Sequence, residues 1–407
     1  MILFIAPNPH KIKEHEGYLQ RVEAIDEVFS AEEKHYYDDF NSKDELAQCM
    51  VGADVIYVHS LYRAEEIIDS YETFGHKIIT DLHGIAPEEE EYLGNPWRAR
   101  HFNKIEETVF RHCHVFVAVT DAMSEHYEMK HRQAKSAEWV VLPIFDVTES
   151  AHKDDKAIES SVIYAGGAQK WQNVNLMVEA IRKKSDKYSF TIASHDKEAF
   201  NELGAEKNSA ITIKSVSNKE VLDAYKKSSY GFILRDNSVV NQVSCPTKMI
   251  EYIGNGVVPI VLSPRIGDFE EMGYRYITLD KFLHSDISNK ELLSARSANY
   301  EVYSILKKQT EDGIKKLTSA AERIKLQKKS NQDYETTLKA LTVRSLEASI
   351  LRSREEYMKN QIKTQIAMIE DYAKSVENLK KELADQNDKR VGAGRLLLDK
   401  IRPPKRT

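Results

Sequence analysis

Ten short apolar runs alternate with charged segments long enough to form helices, from the first residues to about residue 280. The runs are ILFIA, VIYVH, KIITDLHG, VFVAVT and WVVLP (2–6, 55–59, 77–84, 115–120, 139–143), then VIYAGG, YSFTIAS, AITIK, YGFILRD and VVPIVLS (162–167, 188–194, 210–214, 230–236, 257–263). Such runs are typical of parallel strands covered by helices on both faces of a sheet. The polar stretch 145–161 separates two sets of five. We therefore predict an α/β chain with two doubly wound domains.

The domain boundaries are predicted from changes in composition along the 407 residues, a length beyond what one hydrophobic core normally serves. The assignment is an N-terminal Rossmann-like domain (1–150), a second Rossmann-like domain (151–290), a helical connector (291–325), a coiled coil (326–390) and a basic amphipathic tail (391–407). Neither glycine nor proline occurs from Ile314 to Val391, so we predict helix throughout that segment.

The C-terminal part carries a heptad pattern. Its positions, spaced alternately by four and three, are Met358, Ile362, Gln365, Ile369, Tyr372, Val376, Leu379 and Leu383. An earlier seam starts at Tyr334, Leu338 and Leu341, but Leu346, Ile350 and Leu351 leave its register, which indicates a stutter or break. Sustained heptads favour a self-associating coiled coil of two or three strands, so we expect a homo-oligomer. The alternative is one amphipathic helix packed on its own domain.

Composition argues against several classes of protein. The formal net charge of −6 gives no electrostatic case for nucleic acid as the main partner. Three widely spaced cysteines do not make a disulfide framework, so a reducing, cytoplasmic setting is expected. The start, MILFIAPNPHK, has no basic segment before its apolar run and is interpreted as a strand, not a signal peptide.

Membrane contact is expected to be peripheral, at the inner face of the plasma membrane, because no run of about 18 apolar residues is present. The segment 389–407 carries seven Lys or Arg against one Asp, with leucines grouped in its middle. A basic amphipathic segment of this kind suits an anionic membrane face or an acidic partner. A solvated chain end is an equal alternative.

The segment SCPTKMIEYIGNG, residues 244–256, predicts a helix that begins at Pro246 and ends near Gly254 to Gly256 as a C-cap. Its amino end would face the carboxyl edge of the sheet, where free N–H groups and the helix dipole favour phosphate. Lys248 adds a cation in the first turn, and Glu251 follows one turn later as an acceptor for ribose hydroxyls. The alternative is a surface Lys–Glu pair on an ordinary amphipathic helix.

Other polar residues follow strands of the same predicted sheet. Gly166 and Gly167 end one strand and would let the backbone approach a ligand closely, and Lys170 comes just after them. Arg235 ends another strand and could reach a diphosphate, although a structural ion pair would explain it equally.

Two candidates lie in the first predicted domain. Gly17 and Tyr18 open a helix after the first strand and would allow close approach of a substrate, although a turn glycine is the commoner explanation. His83 ends the strand KIITDLHG, on the edge that should face the second domain. A histidine there can stabilise charge or hydrogen-bond a hexose, and a surface histidine is the alternative.

Residues 1–290 resemble the retaining family 4 glycosyltransferases, which have the two-domain GT-B fold. The resemblance rests on the Gly17 loop, DLHG, Glu106 of KIEETVFRHCHVFVAVTDAM, YAGGAQKWQN and PTKMIEYIGNGVVPIV. It implies a nucleoside-diphosphate sugar as donor substrate, a glycan or lipid-linked acceptor, and cell-surface polysaccharide biosynthesis. It also implies that no dedicated protein nucleophile, cofactor or metal is used, and that the acceptor attacks the same face that the diphosphate leaves.

The resemblance also implies roles for individual residues. Glu251 would bind the donor ribose, and Lys170 and Lys248 would contact the diphosphate, assisted by Arg235. In the family, Gly17 backs the donor phosphate and His83 lies beside the anomeric carbon. The donor site as a whole comprises Gly17, Gly166, Gly167, Arg235, Pro246, Thr247 and Glu251, with His83, Lys170 and Lys248 as catalytic residues.

One position departs from the family pattern. The family often has two glutamates seven residues apart, and the first falls on Val243 here. Asn241, Gln242 or Ser244 are the candidates to replace that carboxylate. A GT-B-like scaffold acting through its coiled coil and a sugar-nucleotide epimerase are the alternative functions.

Two further motifs are interpreted as structural. The triplet HCH (112–114) has no second Cys/His pair at zinc spacing. The run EEEE (88–91) is interpreted as a solvated loop or a helix start.

Overall fold

The computed structural model describes residues 1–11, 17–143, 159–203, 208–215, 218–327 and 335–401. Its strands are β1 Ile2–Ile5, β2 Lys34–Tyr36, β3 Val55–His59, β4 Ile78–Leu82, β5 Val115–Ala118, β6 Glu138–Val141, β7 Ser161–Ala165, β8 Ser189–Ala193, β9 Ile211–Lys214, β10 Tyr230–Ile233, β11 Val258–Val261 and β12 Ile277–Thr278. Most of the predicted interdomain stretch 145–161 lies outside the described residues.

The helices alternate with these strands in sequence. They are α1 Gly17–Val28, α2 Lys43–Gly52, α3 Leu61–Ala64, α4 Tyr71–Phe74, α5 Ala86–Leu93, α6 Pro96–His112, α7 Asp121–Lys130, α8 Val174–Lys184, α9 Asn218–Lys226, α10 Val239–Gln242, α11 Thr247–Gly254, α12 Leu279–His284, α13 Asn289–Gln327 and α14 Glu335–Ile401. Helix α11 begins one residue later than predicted, because Pro246 is extended (φ −66°, ψ 121°) and serves as its N-cap.

The strands form two six-stranded sheets, and every strand pair in them is parallel. The orders are β2-β1-β3-β4-β5-β6 and β12-β11-β10-β7-β8-β9. The strand order reverses between β1 and β3 in the first sheet and between β7 and β10 in the second. In open α/β sheets, ligands bind at the carboxyl ends of the strands beside such reversals. The predicted α/β class with two doubly wound sheets is confirmed.

The sequence analysis missed β2 and β12. Both are edge strands, and β2 reads Lys-His-Tyr, with no apolar run to reveal it. Several predicted runs also extend past the observed strands, since β4 ends at Leu82 and β7 at Ala165. The residues that leave the sheet at these points, His83 and Gly166, are predicted site residues.

Helix α13 connects the two sheets. Its first turns contribute Leu292 and Ala295 to the apolar cluster of the second sheet. Its last turns contribute Leu317 and Ala321 to a cluster of the first sheet, built around β1 and β3. The helix therefore runs from the second domain back to the first, and both domains belong to one compact unit, Met1–Ser349.

The second compact unit, Ile350–Thr407, contains the remainder of α14. Its described seam residues are exposed, from 49% for Val376 to 70% for Tyr372. The side chains of Leu338, Leu341 and Leu383, and all of Tyr334, lie outside the described residues. Among the described helices, none is both long and apolar enough to cross a membrane.

Candidate donor site at the carboxyl ends of the strands

Lys248 is enclosed in the first turn of α11. Its Nζ lies 4.0 Å from the centroid of the buried Tyr164 ring and donates a hydrogen bond to Gln172 Oε1 at 3.3 Å. Burial lowers the pKa of Lys248 well below its usual value, and the neighbouring Arg235 adds to this effect while Glu251 opposes it. An anion that binds beside Lys248 would stabilise the charged form of the lysine in these surroundings.

Gly166 brings the main chain against this ammonium. Its φ is +142°, in a region that side chains other than glycine rarely adopt. A Cβ atom at this position would lie 2.8 Å from Lys248 Nζ. The glycine therefore lets the Lys248 side chain pack directly against this turn, and its predicted contact with a ligand stays a prediction. Gly167 accepts a hydrogen bond from the Tyr164 hydroxyl through its carbonyl oxygen.

Arg235 is the second cation of the site, just after β10. Its Nη1 donates hydrogen bonds to Ser244 Oγ at 3.1 Å and to Asn241 Oδ1 at 3.4 Å. Burial lowers its pKa to about 10. Asn241 is fully buried, and its amide donates to the Asp236 carboxylate at 2.7 Å. Two of the predicted glutamate replacements, Asn241 and Ser244, therefore orient Arg235.

Glu251 lies one turn after Lys248, as predicted, and is half-buried. Its Oε2 accepts a hydrogen bond of 2.6 Å from the Tyr225 hydroxyl of α9. This contact fixes the carboxylate on the side of α11 that carries Lys248. Tyr225 was not identified from the sequence, because its place depends on how α9 packs against α11.

Val243 occupies the position at which the family often has its first glutamate. Its side chain is 4% exposed and belongs to the apolar cluster shared by both domains. Its carbonyl oxygen accepts the Thr120 hydroxyl of the first domain at 2.7 Å. A carboxylate here would enter an apolar contact, so the valine serves to join the domains.

Lys170 is exposed and reaches the first domain. Its Nζ donates to the carbonyl oxygen of Tyr92 in α5 at 2.6 Å and lies 4.9 Å from that ring's centroid. The Tyr92 hydroxyl in turn donates to Asp236 at 2.6 Å. Lys170 therefore does not share the immediate surroundings of Lys248 in this structure.

His83 lies against a second histidine, His59, at the end of β3. The ring centroids are 4.4 Å apart with the planes inclined by 30°. Burial, together with His59, lowers the pKa of His83 to about 3, so its ring is neutral at physiological pH. Within the described residues, both nitrogens of His59 and Nδ1 of His83 have no hydrogen-bond partner.

Asp81 is the third member of this cluster. Arg21 of α1 donates to both carboxylate oxygens, at 2.7 to 3.0 Å, and the Tyr57 hydroxyl donates at 2.8 Å. Arg21 holds the pKa of Asp81 well below its usual range despite burial. Ligand atoms of His59, Asp81 and His83 lie within 4.8 Å of one another. A dication fits poorly there, because Arg21 already neutralises the only carboxylate of the cluster.

The remaining predicted residues differ in position. Pro246 and Thr247 are the N-cap and first residue of α11, beside Lys248. Gly17 is the first residue of α1, but the loop before it (12–16) lies outside the described residues. Glu106 accepts from Lys130 and His131 at 2.6 and 2.9 Å and is completely buried, so it stabilises the first domain internally.

No protein-family model matches the chain, and no curated protein matches it in sequence. Solved structures match it in fold. HepE of Anabaena in complex with UDP-glucose is 10% identical, with 85% of this chain and 99% of that chain covered and a TM-score of 0.50. Trehalose-6-phosphate synthase OtsA is 13% identical, with coverage of 69% and 75% and a TM-score of 0.49.

The GtfA/B complex also matches in fold, with 12% identity and a TM-score of 0.45. The match covers 70% of this chain and 61% of that chain, so this chain spans less than two thirds of the length of that structure. Identities this low show a shared fold alone. The two parallel sheets and the match to HepE together establish that the chain has the GT-B fold, extended at its C-terminus by a long helix.

Proposed function

We propose that the chain is a retaining family 4 glycosyltransferase that moves a sugar from a nucleoside-diphosphate sugar to a glycan or lipid-linked acceptor in cell-surface polysaccharide synthesis. The observation that carries this proposal is Lys248, a half-buried ammonium that lies against the Gly166 turn and has one neutral hydrogen-bond acceptor, Gln172, among the described residues. Arg235 places a second cation close enough to lower its pKa further. HepE, which shares the fold, was solved with UDP-glucose bound.

The donor would bind along α11. Its diphosphate would lie at the helix amino end against Lys248 and Arg235, and its ribose would hydrogen-bond to Glu251. The bond between the anomeric carbon and the phosphate oxygen breaks, and the acceptor oxygen bonds to the same face of the carbon. The acceptor proton passes to the departing diphosphate, whose negative charge the two cations stabilise.

His83 would act as a neutral hydrogen-bonding group beside the transferred sugar. Its pKa of about 3 means that it carries no positive charge at pH 7. Lys170 would join the diphosphate only after leaving the Tyr92 carbonyl oxygen that it contacts now. We propose that no cofactor or protein-bound metal takes part, because Lys248 and Arg235 supply the charge that a metal would otherwise provide.

A thermal-shift screen against nucleoside diphosphates and nucleotide sugars, with and without EDTA, tests this proposal. At 100 times its Kd, the correct ligand should stabilise the wild-type protein by about 2.7 kcal/mol. The shift should persist in EDTA and be lost in both Lys248→Ala and Glu251→Ala. Lys183→Ala, an exposed lysine on α8 of the same domain, is the matched control.

The absence of a shift with any ligand would reject the donor site and favour a scaffold. Conversion of the nucleotide sugar into its epimer, without transfer or hydrolysis, would instead identify an epimerase. A shift that disappears in EDTA would contradict the metal-free mechanism.

We further propose that α14 forms a homo-oligomeric coiled coil. Seam residues such as Ile362 and Ile369 are 51% and 66% exposed, which leaves an apolar stripe for a second copy. Light scattering should give a dimer or trimer for the wild-type chain and a monomer for the double variant Ile362→Asp/Ile369→Asp. Ala367→Asp, exposed and at the heptad position opposite the seam, should not change the mass. An unchanged mass for the double variant would rule out this interface.

We also propose a cytoplasmic location with peripheral membrane contact through the basic tail, 391–407, whose side chains lie outside the described residues. Co-sedimentation with anionic vesicles, lost when the chain ends at residue 390, would support that contact. Equal sedimentation of both chains would contradict it.

A further inference from the structure

The glutamate run 88–91 lies at the start of a helix, one of the two interpretations made from the sequence, and not in a solvated loop. It lies in the first two turns of α5, and its members have different surroundings. Glu88 contacts Lys130 at 2.8 Å, Glu90 is 5% exposed and pairs with Arg98, and Glu91 is exposed. Glu89 is enclosed but has no cation in direct contact among the described residues. The one described hydrogen bond to its carboxylate comes from the backbone N–H of Ile85, at 3.2 Å.

Glu89 folds back over the turn that follows β4. A Cβ atom on Gly84 would collide with Glu89 Oε1 and lie 3.2 Å from Oε2. The carboxylate therefore lies directly on the backbone of Gly84, the neighbour of His83. The Tyr127 hydroxyl fixes this turn by donating to the Gly84 carbonyl oxygen at 2.9 Å. Only a residue without a side chain permits this contact at position 84.

The surroundings of Glu89 are unfavourable for a carboxylate that has no ligand. Burial and the charges of Glu88 and Glu90 raise its pKa to about 7, whereas Arg235 of the second domain acts in the opposite direction. Arg235 therefore lies close enough to act on the charge of Glu89. Glu89 is half-buried, so part of the residue remains open to solvent.

We propose that Glu89 accepts hydrogen bonds from hydroxyl groups of the transferred sugar and so supplies, from the first domain, the carboxylate that position 243 lacks. This inference rests on the proposed function. A carboxylate repels the diphosphate, which in this proposal binds to Lys248 and Arg235. The sugar would extend from the diphosphate toward the first domain. Sugar hydroxyls are donors that a carboxylate binds well, and the neutral His83 lies next to Gly84.

Calorimetry measures the affinities of the full-length protein for UDP and for UDP-glucose. Comparing the two distinguishes contacts to the sugar from contacts to the nucleotide. Glu89→Gln keeps an oxygen for the Ile85 N–H but loses the charge. We expect the Kd of this variant for UDP to stay within about twofold of the wild-type value. Its Kd for UDP-glucose should rise about 10-fold, the effect of losing one hydrogen bond to a charged group. Glu91→Gln on the same helix should change neither value.

Glu89→Asp keeps the charge but withdraws the carboxylate by one methylene. It should therefore also weaken the binding of UDP-glucose without weakening the binding of UDP. This variant also provides a test if Glu89→Gln does not fold. Equal weakening of both ligands, or no weakening of either, would overturn the proposed role of Glu89 and leave the donor site intact. If wild-type protein binds no nucleoside diphosphate and no nucleotide sugar, of any base, the proposed function and this inference both fail.

Discussion

Replacing Asp81 with alanine should lower the free energy of unfolding by about 3–5 kcal/mol. The reason is that Arg21 is only 2% exposed and Asp81 is completely buried, so the substitution leaves a guanidinium without its counter-charge inside the first domain. The Tyr57 hydroxyl, which donates to Asp81 at 2.8 Å, would lose its acceptor too. Urea denaturation followed by circular dichroism measures the change.

Two further variants separate the buried pair from ionic contacts in general. Lys11→Ala breaks an ion pair with Asp39 in which the lysine is 58% exposed, and should cost less than about 1 kcal/mol. The double variant Arg21→Met/Asp81→Leu removes both charges and should recover most of the stability lost in Asp81→Ala. A loss below about 1 kcal/mol for Asp81→Ala would show that water or another group compensates Arg21.

The parts of the fold that depend on local pattern could be predicted from the sequence. Apolar runs identified ten of the twelve strands, because a strand buried on both faces is mostly apolar, with exceptions such as the paired Asp81 of β4. Pro246 placed the start of α11 to within one residue, and the predicted end at Gly254 to Gly256 includes the observed last residue, because helix ends depend on the backbone preferences of single residues. The two strands that were missed lie at sheet edges, where one polar segment is tolerated.

The candidate site was harder to predict, since its contacts join segments far apart in the chain. Lys248 and Glu251 share a face of α11, which spacing reveals. Nothing in the sequence indicates that Tyr164 lies under Lys248, or that Val243 joins the two domains through Thr120.

Glutamate run 88–91 shows the same limit. Four identical residues have four different environments, and Glu89 is half-buried without a cation in direct contact among the described residues. A local pattern describes what a side chain is, whereas the tertiary fold determines which groups surround it. Charge runs are therefore poor guides to function until the facing elements are known.

The electrostatics of the second domain support a functional origin for its cations. Burial lowers the pKa values of both Lys248 and Arg235, so each charge costs stability where it stands. A stable core would not need two such groups side by side. An anionic ligand between them would offset that cost, and the ligand proposed here, a diphosphate, is an anion of this kind.

Lys248→Met should therefore change stability and activity in opposite directions. A lysine whose pKa is lower in the folded than in the unfolded state destabilises the fold at neutral pH, and an apolar side chain of similar length removes that cost. We expect the thermal midpoint of the ligand-free protein to rise. We also expect kcat/KM for transfer to fall by about 10²- to 10³-fold, the effect of losing one group that stabilises the departing phosphate.

Release of nucleoside diphosphate from the donor measures the rate, and calorimetry measures the thermal midpoint. Lys183→Met, an exposed lysine of the same domain, is the matched control and should change neither quantity appreciably. A variant Lys248→Met that loses stability and activity together would indicate a structural role for the lysine. Retained activity with raised stability would remove Lys248 from the mechanism, because a cation that costs folding energy and contributes nothing to catalysis cannot be the group that holds the diphosphate.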